Sequence, residues 1–159
     1  MWHIAACFRW IVGRRLVVVL VSVALEMIPL AFVSYGADPE VLRPRVPPDQ
    51  REAARGLVNP LEPTPENLEK GRALFHGKAF CVTCHGREGR GLEGVKGFVG
   101  PLPRNFTDPE WQAARADGEL LWILQNGSAG TAMASFVPLI LTEEEAWQVL
   151  LYVRSFNGH

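Results

Sequence analysis

Cys81 and Cys84 stand three residues apart and His85 follows directly, in the run Cys81-Val82-Thr83-Cys84-His85. On one helical turn, residues i, i+3 and i+4 share a face, so both thiols and the imidazole can point at the same object. That pattern fits covalent attachment of haem, with Cys81 and Cys84 as thioethers to its vinyl groups and His85 as a ligand to iron. Three plainer readings compete with it. A disulfide between the two cysteines leaves His85 unexplained, and a thioredoxin-like pair needs a βαβ context that does not surround the motif. Zinc needs two more close ligands, and the only other cysteine, Cys7, lies far away at the N-terminus. The spacing therefore predicts one haem c per chain.

A second iron ligand follows by elimination. The chain has three methionines, of which Met1 and Met27 fall in an apolar N-terminal segment. Met133 is the thioether left for the haem region, in the loop Gly130–Phe136, where chain length is ample to reach the face opposite His85. The other histidines near enough to compete are His76 and His159, and His76 reads as the polar end of a helix.

The elements that must position these groups are helical. Thr64-Pro65-Glu66 is a helix start, and Leu68, Gly71, Leu74 and Phe75 recur at helical spacing as its buried stripe until Gly77. A glycine-rich stretch from Gly86 to Gly100 reads as loop, and Gly100-Pro101-Leu102-Pro103-Arg104 as extended chain. Asp108-Pro109-Glu110 opens a short helix, and Asp117-Gly118-Glu119 opens another running to Asn126. Thr142-Glu143-Glu144-Glu145 is a capping box ahead of a mostly buried helix through Trp147, Val149, Leu150, Tyr152, Val153 and Phe156.

Residues 1–36 carry Arg9, Arg14 and Arg15 against Glu26, and Leu16–Leu25 is an unbroken apolar run. This is the order of a secretory signal, with small residues Ser34 and Gly36 placed for cleavage before Ala37. An uncleaved anchor is the rival, because Leu16–Tyr35 is long enough as helix to span the ~30 Å of a bilayer. Either way the remainder is expected on the periplasmic side of a bacterial cytoplasmic membrane. Residues 37–63, with six prolines in a charged background, read as an extended, semi-rigid linker, and 64–159 as the haem domain. The whole-chain net charge of −1 points away from nucleic acid.

The order of features over residues 64–157, from the helix with Gly71 and Phe75 through CxxCH, proline, the methionine loop and an aromatic last helix, resembles the class I single-haem cytochromes c. The resemblance implies a small all-α fold of about four to five helices around the covalently attached haem, after the apolar N-terminal helix. It implies that the first and last helices of that domain cross near Gly71 and Tyr152. It also implies that the Pro101 carbonyl accepts the proton of the non-ligating His85 nitrogen, and that Arg104 or Trp111 meets a haem propionate.

With imidazole and thioether both on iron, the group can only gain or lose an electron. The expected function is a single-electron carrier of a respiratory or photosynthetic chain, its potential raised by burial among Phe80, Phe98, Trp122 and Phe136. Basic residues between His76 and Arg104 are expected to steer an acidic redox partner to the haem edge. Two alternatives remain open: a fixed subunit of a larger membrane oxidoreductase, or a haem enzyme with an open axial site.

Overall fold

The computed structural model describes residues 39–92 and 100–157. Among the described residues there are seven helices and no strand: α1 (Pro39–Leu42), α2 (Pro48–Gly56), α3 (Pro65–His76), α4 (Val82–His85), α5 (Pro109–Ala114), α6 (Asp117–Asn126) and α7 (Glu143–Ser155). The all-α expectation holds. Expectations for residues 1–36, Phe98 and His159 concern positions outside the described residues. No helix among the described residues is long and apolar enough to cross a membrane.

Helix starts follow local chemistry. Thr64 Oγ1 accepts from the Asn67 N–H (3.2 Å) with Pro65 at the first helical position, where its missing N–H costs nothing. Asp108 Oδ1 accepts from the Glu110 and Trp111 N–H groups at 2.9 and 3.2 Å. Thr142 and Glu145 form the expected reciprocal box, the Thr142 N–H donating to Glu145 Oε2 (2.8 Å) and the Glu145 N–H to Thr142 Oγ1 (3.2 Å).

Helices α3 and α7 cross where the resemblance implied. A Cβ at Gly71 would collide with the Gln148 carbonyl and lie 3.0 Å from Tyr152 Cβ, so only glycine lets the two backbones approach this closely. Beside the crossing Phe75 is fully buried, meeting Tyr152 edge-on at 5.3 Å and Phe106 at 6.3 Å. Burying a side chain of that size contributes about 1.5–3 kcal/mol. Leu120, Leu121 and Leu124 of α6 and Val149, Leu150 and Val153 of α7 complete the core.

Residues 39–63 do not form the extended linker expected from their prolines. Pro39 and Pro48 instead occupy helix starts, and the segment lies on the body of the domain. Val46 is 1% exposed, and a Cβ at Gly118 would collide with the Ala54 carbonyl and come within 2.6 Å of Leu57 Cβ. Arg115 donates to the Arg43 carbonyl (2.9 Å), Asn59 Nδ2 to the Trp147 carbonyl (3.0 Å) and Trp122 Nε1 to Gln50 Oε1 (2.8 Å). Arg55 pairs with buried Glu119 at 2.9 Å. Proline disfavours helix interiors, not helix starts, and the Arg115 guanidinium holds the segment's backbone while side-chain bonds fasten the rest.

Candidate haem-binding site

Phe80 carries the chain from α3 into the cysteine motif in a left-handed conformation (φ 50°), and the turn it makes opens α4 at Cys81. The His85 N–H donates to the Cys81 carbonyl at 2.9 Å, which closes one helical turn and sets Cys81, Cys84 and His85 together. No disulfide joins Cys81 and Cys84. Burial pushes the Cys81 thiol up to about 11, while Cys84 is exposed.

A cavity of about 230 Å³ opens beside this turn. All six residues expected at the site line it: Cys81, Cys84, His85, Pro101, Arg104 and Met133. Its wall is apolar, with Phe75 and Phe106 on one side, Leu120 and Leu124 from α6, and Val149, Leu150 and Val153 from α7. Met133 is brought in by its loop, which is pinned by the Ser128 N–H donating to the Met133 carbonyl (2.9 Å) and the Met133 N–H donating to Thr131 Oγ1 (3.1 Å).

His85 stacks on Phe106, ring centroids 4.3 Å apart and planes 17° from parallel. Burial lowers its pKa, which favours the neutral imidazole that a metal requires. Its Nδ1 lies 3.0 Å from the Arg104 carbonyl, and a carbonyl can only accept, so Nδ1 carries the proton and Nε2 keeps its lone pair. No hydrogen bond to Nε2 exists among the described residues. This corrects the expectation that Pro101 is the acceptor. The Gly91 N–H donates to the His85 carbonyl (2.8 Å) and a Cβ on Gly91 would lie 2.7 Å from the Pro103 oxygen, so the chain passes closest to the motif at Pro103–Arg104. Pro101 stays exposed at the cavity mouth.

Other expectations shift too. Phe136 lines the cavity, but Phe80 is 69% exposed at its mouth and Trp122 does not line it, its indole N–H facing Gln50 of α2. Of the basic residues expected to steer a partner, Arg104 lines the cavity, Lys78 is bound to Glu145 at 2.7 Å, Arg87 and Arg90 lie beside Tyr152, Ser155 and Phe156, and Lys96 lies outside the described residues. Sequence reasoning missed Arg45 and Arg115, which line the cavity with Arg104. No local signal marked either one, because the segment carrying Arg45 read as a linker.

The donor set suits haem: two unpaired thiols, an imidazole nitrogen with a free lone pair and a thioether sulfur around one apolar cavity. Comparison with known proteins agrees. The Cytochrome c family profile matches residues 68–157. A chain of a reducing HAO-like protein complex of Kuenenia stuttgartiensis matches at 29% identity and a TM-score of 0.54, over 65% of this chain and 48% of that one, so the present chain spans about half of it. The KustC0563 c-type cytochrome matches at 31% identity and a TM-score of 0.45, over 55% of this chain and 96% of its own. No curated relative matches the sequence. With more than half its length under the family profile and the attachment residues gathered on one cavity, this chain belongs to the cytochrome c family and binds haem c covalently.

Proposed function

We propose that this chain is a one-electron carrier whose haem is attached through Cys81 and Cys84 and held at iron by His85 Nε2 and Met133 Sδ. The bound group supplies the redox couple. The protein's part is to fix both ligands and exclude water. Arg104 contributes its carbonyl to the His85 proton, which orients the imidazole and raises its basicity. The Phe106 stack holds the ring's plane. With His85 and Met133 both held to iron, no position would be left for a substrate, and imidazole and thioether ligands in an apolar wall would favour a high potential. The convergence of Met133 and the cysteine motif on one cavity carries this reading. A periplasmic location, reached through the N-terminal signal or anchor, belongs to the same proposal.

Absorption spectra test it. The purified chain is expected to give the two-thioether haemochrome spectrum and, when ferric, the far-red sulfur-to-iron band. Met133→Ala should remove that band while retaining attachment; a band that persists in Met133→Ala would exclude Met133.

A second reading, a fixed subunit of an oxidoreductase complex, draws on the likeness to a chain of the HAO-like complex. Size-exclusion chromatography of the protein from its native membrane fraction separates the two, since a carrier elutes alone.

A further inference from the structure

The loop over residues 86–91 carries two arginines that the haem cavity does not use. Arg87 and Arg90 are exposed, and neither guanidinium has a hydrogen-bond or ion-pair partner among the described residues. They stand over an open cleft with Glu88, Tyr152, Ser155 and Phe156. Glu88 is the one carboxylate lining that cleft, so two arginines against one glutamate leave it positive.

The backbone holds these arginines over an aromatic floor. Gly89 is left-handed (φ 71°), and a Cβ there would lie 2.9 Å from the Phe156 ring, so the loop between Arg87 and Arg90 rests directly on that ring. The Gly89 carbonyl accepts from the Phe106 N–H (2.6 Å), and the Gly91 N–H donates to the His85 carbonyl (2.8 Å), which fastens both ends of the loop near the imidazole. Beneath it the rings lie in series. Phe156 is near-parallel to Phe106, with centroids 6.3 Å apart and planes at 21°, and Phe106 stacks on His85 at 4.3 Å. The floor of the cleft is thus two ring contacts from His85, through side chains that are both buried. Electron tunnelling weakens with distance and with gaps between atoms, and this path is short and packed.

We propose that this cleft is a docking face for an acidic redox protein, and that Phe156 and Phe106 conduct the electron between that partner and His85, an entry separate from the cavity mouth. The inference rests on a one-electron haem held by His85. One electron moves: the reduced partner loses it and ferric iron gains it, with no bond made or broken and no proton transferred. Guanidinium groups whose N–H donors are all uncommitted suit the carboxylates of such a partner, which they meet by paired bonds. An open surface that joins unpaired arginines to aromatic side chains has the composition of a protein interface, not of a closed ligand pocket.

The experiment is stopped-flow oxidation of a reduced plant-type ferredoxin, a small acidic iron–sulfur protein used as the probe, by the ferric full-length holoprotein at low and high ionic strength. Arg87→Gln/Arg90→Gln is expected to react about tenfold more slowly than wild type at low ionic strength and to lose most of the salt dependence. The control Arg43→Gln/Lys70→Gln removes the same charge from exposed side chains elsewhere and should slow far less. Phe156→Leu should be slower at every ionic strength with its salt slope, sulfur-to-iron band and potential unchanged, and Phe156→Tyr, which keeps the ring, should restore the rate. A wild-type rate and salt slope in Arg87→Gln/Arg90→Gln, or an equal slowing in the control, overturns the docking face. A wild-type rate in Phe156→Leu, or a rate in Phe156→Tyr as slow as in Phe156→Leu, overturns the ring path. Absence of the haemochrome signal in wild type would instead overturn the carrier reading itself.

Discussion

The α-carbon of Gly71 sits directly against the carbonyl of Gln148, where α3 crosses α7, and no space for a side chain remains between them. Gly71→Ala is therefore expected to force the helices apart. The loss of stability should be about 1–3 kcal/mol, typical of overpacking a close contact, despite the better helix propensity of alanine. Urea unfolding of the holoprotein measures it. An alanine variant as stable as wild type would mean that the crossing has slack that the structure does not show.

Gln112 is 4% exposed and fully engaged: Nε2 donates to the Phe106 and Val153 carbonyls (2.7 and 2.9 Å), and Oε1 accepts from Arg154 Nη1 (2.7 Å). Gln112→Leu keeps the volume but takes the side-chain donor from the Phe106 carbonyl, while the Val153 carbonyl keeps the Phe156 N–H (3.4 Å) and Arg154 Nη1 keeps the Gln112 backbone carbonyl (2.9 Å). The expected cost is about 1–3 kcal/mol, that of one unsatisfied buried group. Gln112→Glu retains the acceptor for Arg154 and should fall between leucine and wild type in the same unfolding assay.

His76 Nε2 lies 3.2 Å from the Tyr152 hydroxyl, and burial, reinforced by Arg87 and Arg72, lowers its pKa. A histidine whose folded pKa is depressed adds stability above its unfolded pKa of about 6.5, and that stability is lost as pH falls through the folded value. His76→Gln should thus be most destabilising near pH 8 and progressively less so toward pH 5. Thermal melts of both proteins across that range supply the difference; a difference that grows on acidification would reverse the assignment.

The helical part of the fold was legible because its signals are local. Thr64, Asp108 and Thr142 marked true helix starts, since capping depends on residues within one turn. The residues that gather on the cavity were legible for a related reason in the case of Cys81, Cys84 and His85, and by counting in the case of Met133. Two features were not. The partner of His85 depends on where an extended strand passes, and a shift from Pro101 to Arg104 leaves no trace in composition. The docking of 39–63 depends on contacts more than fifty residues distant, such as Arg55 with Glu119, which no local pattern encodes.

That docking changes how an electron partner can be met. The 25 residues from 39 to 63 could span ~80–90 Å if drawn out as a leash. Wound into α1 and α2 and fastened at Gly118, Glu119 and Trp147, they offer no such sweep. A redox partner would have to come to the domain itself, because residues 39–63 give it no leash with which to search.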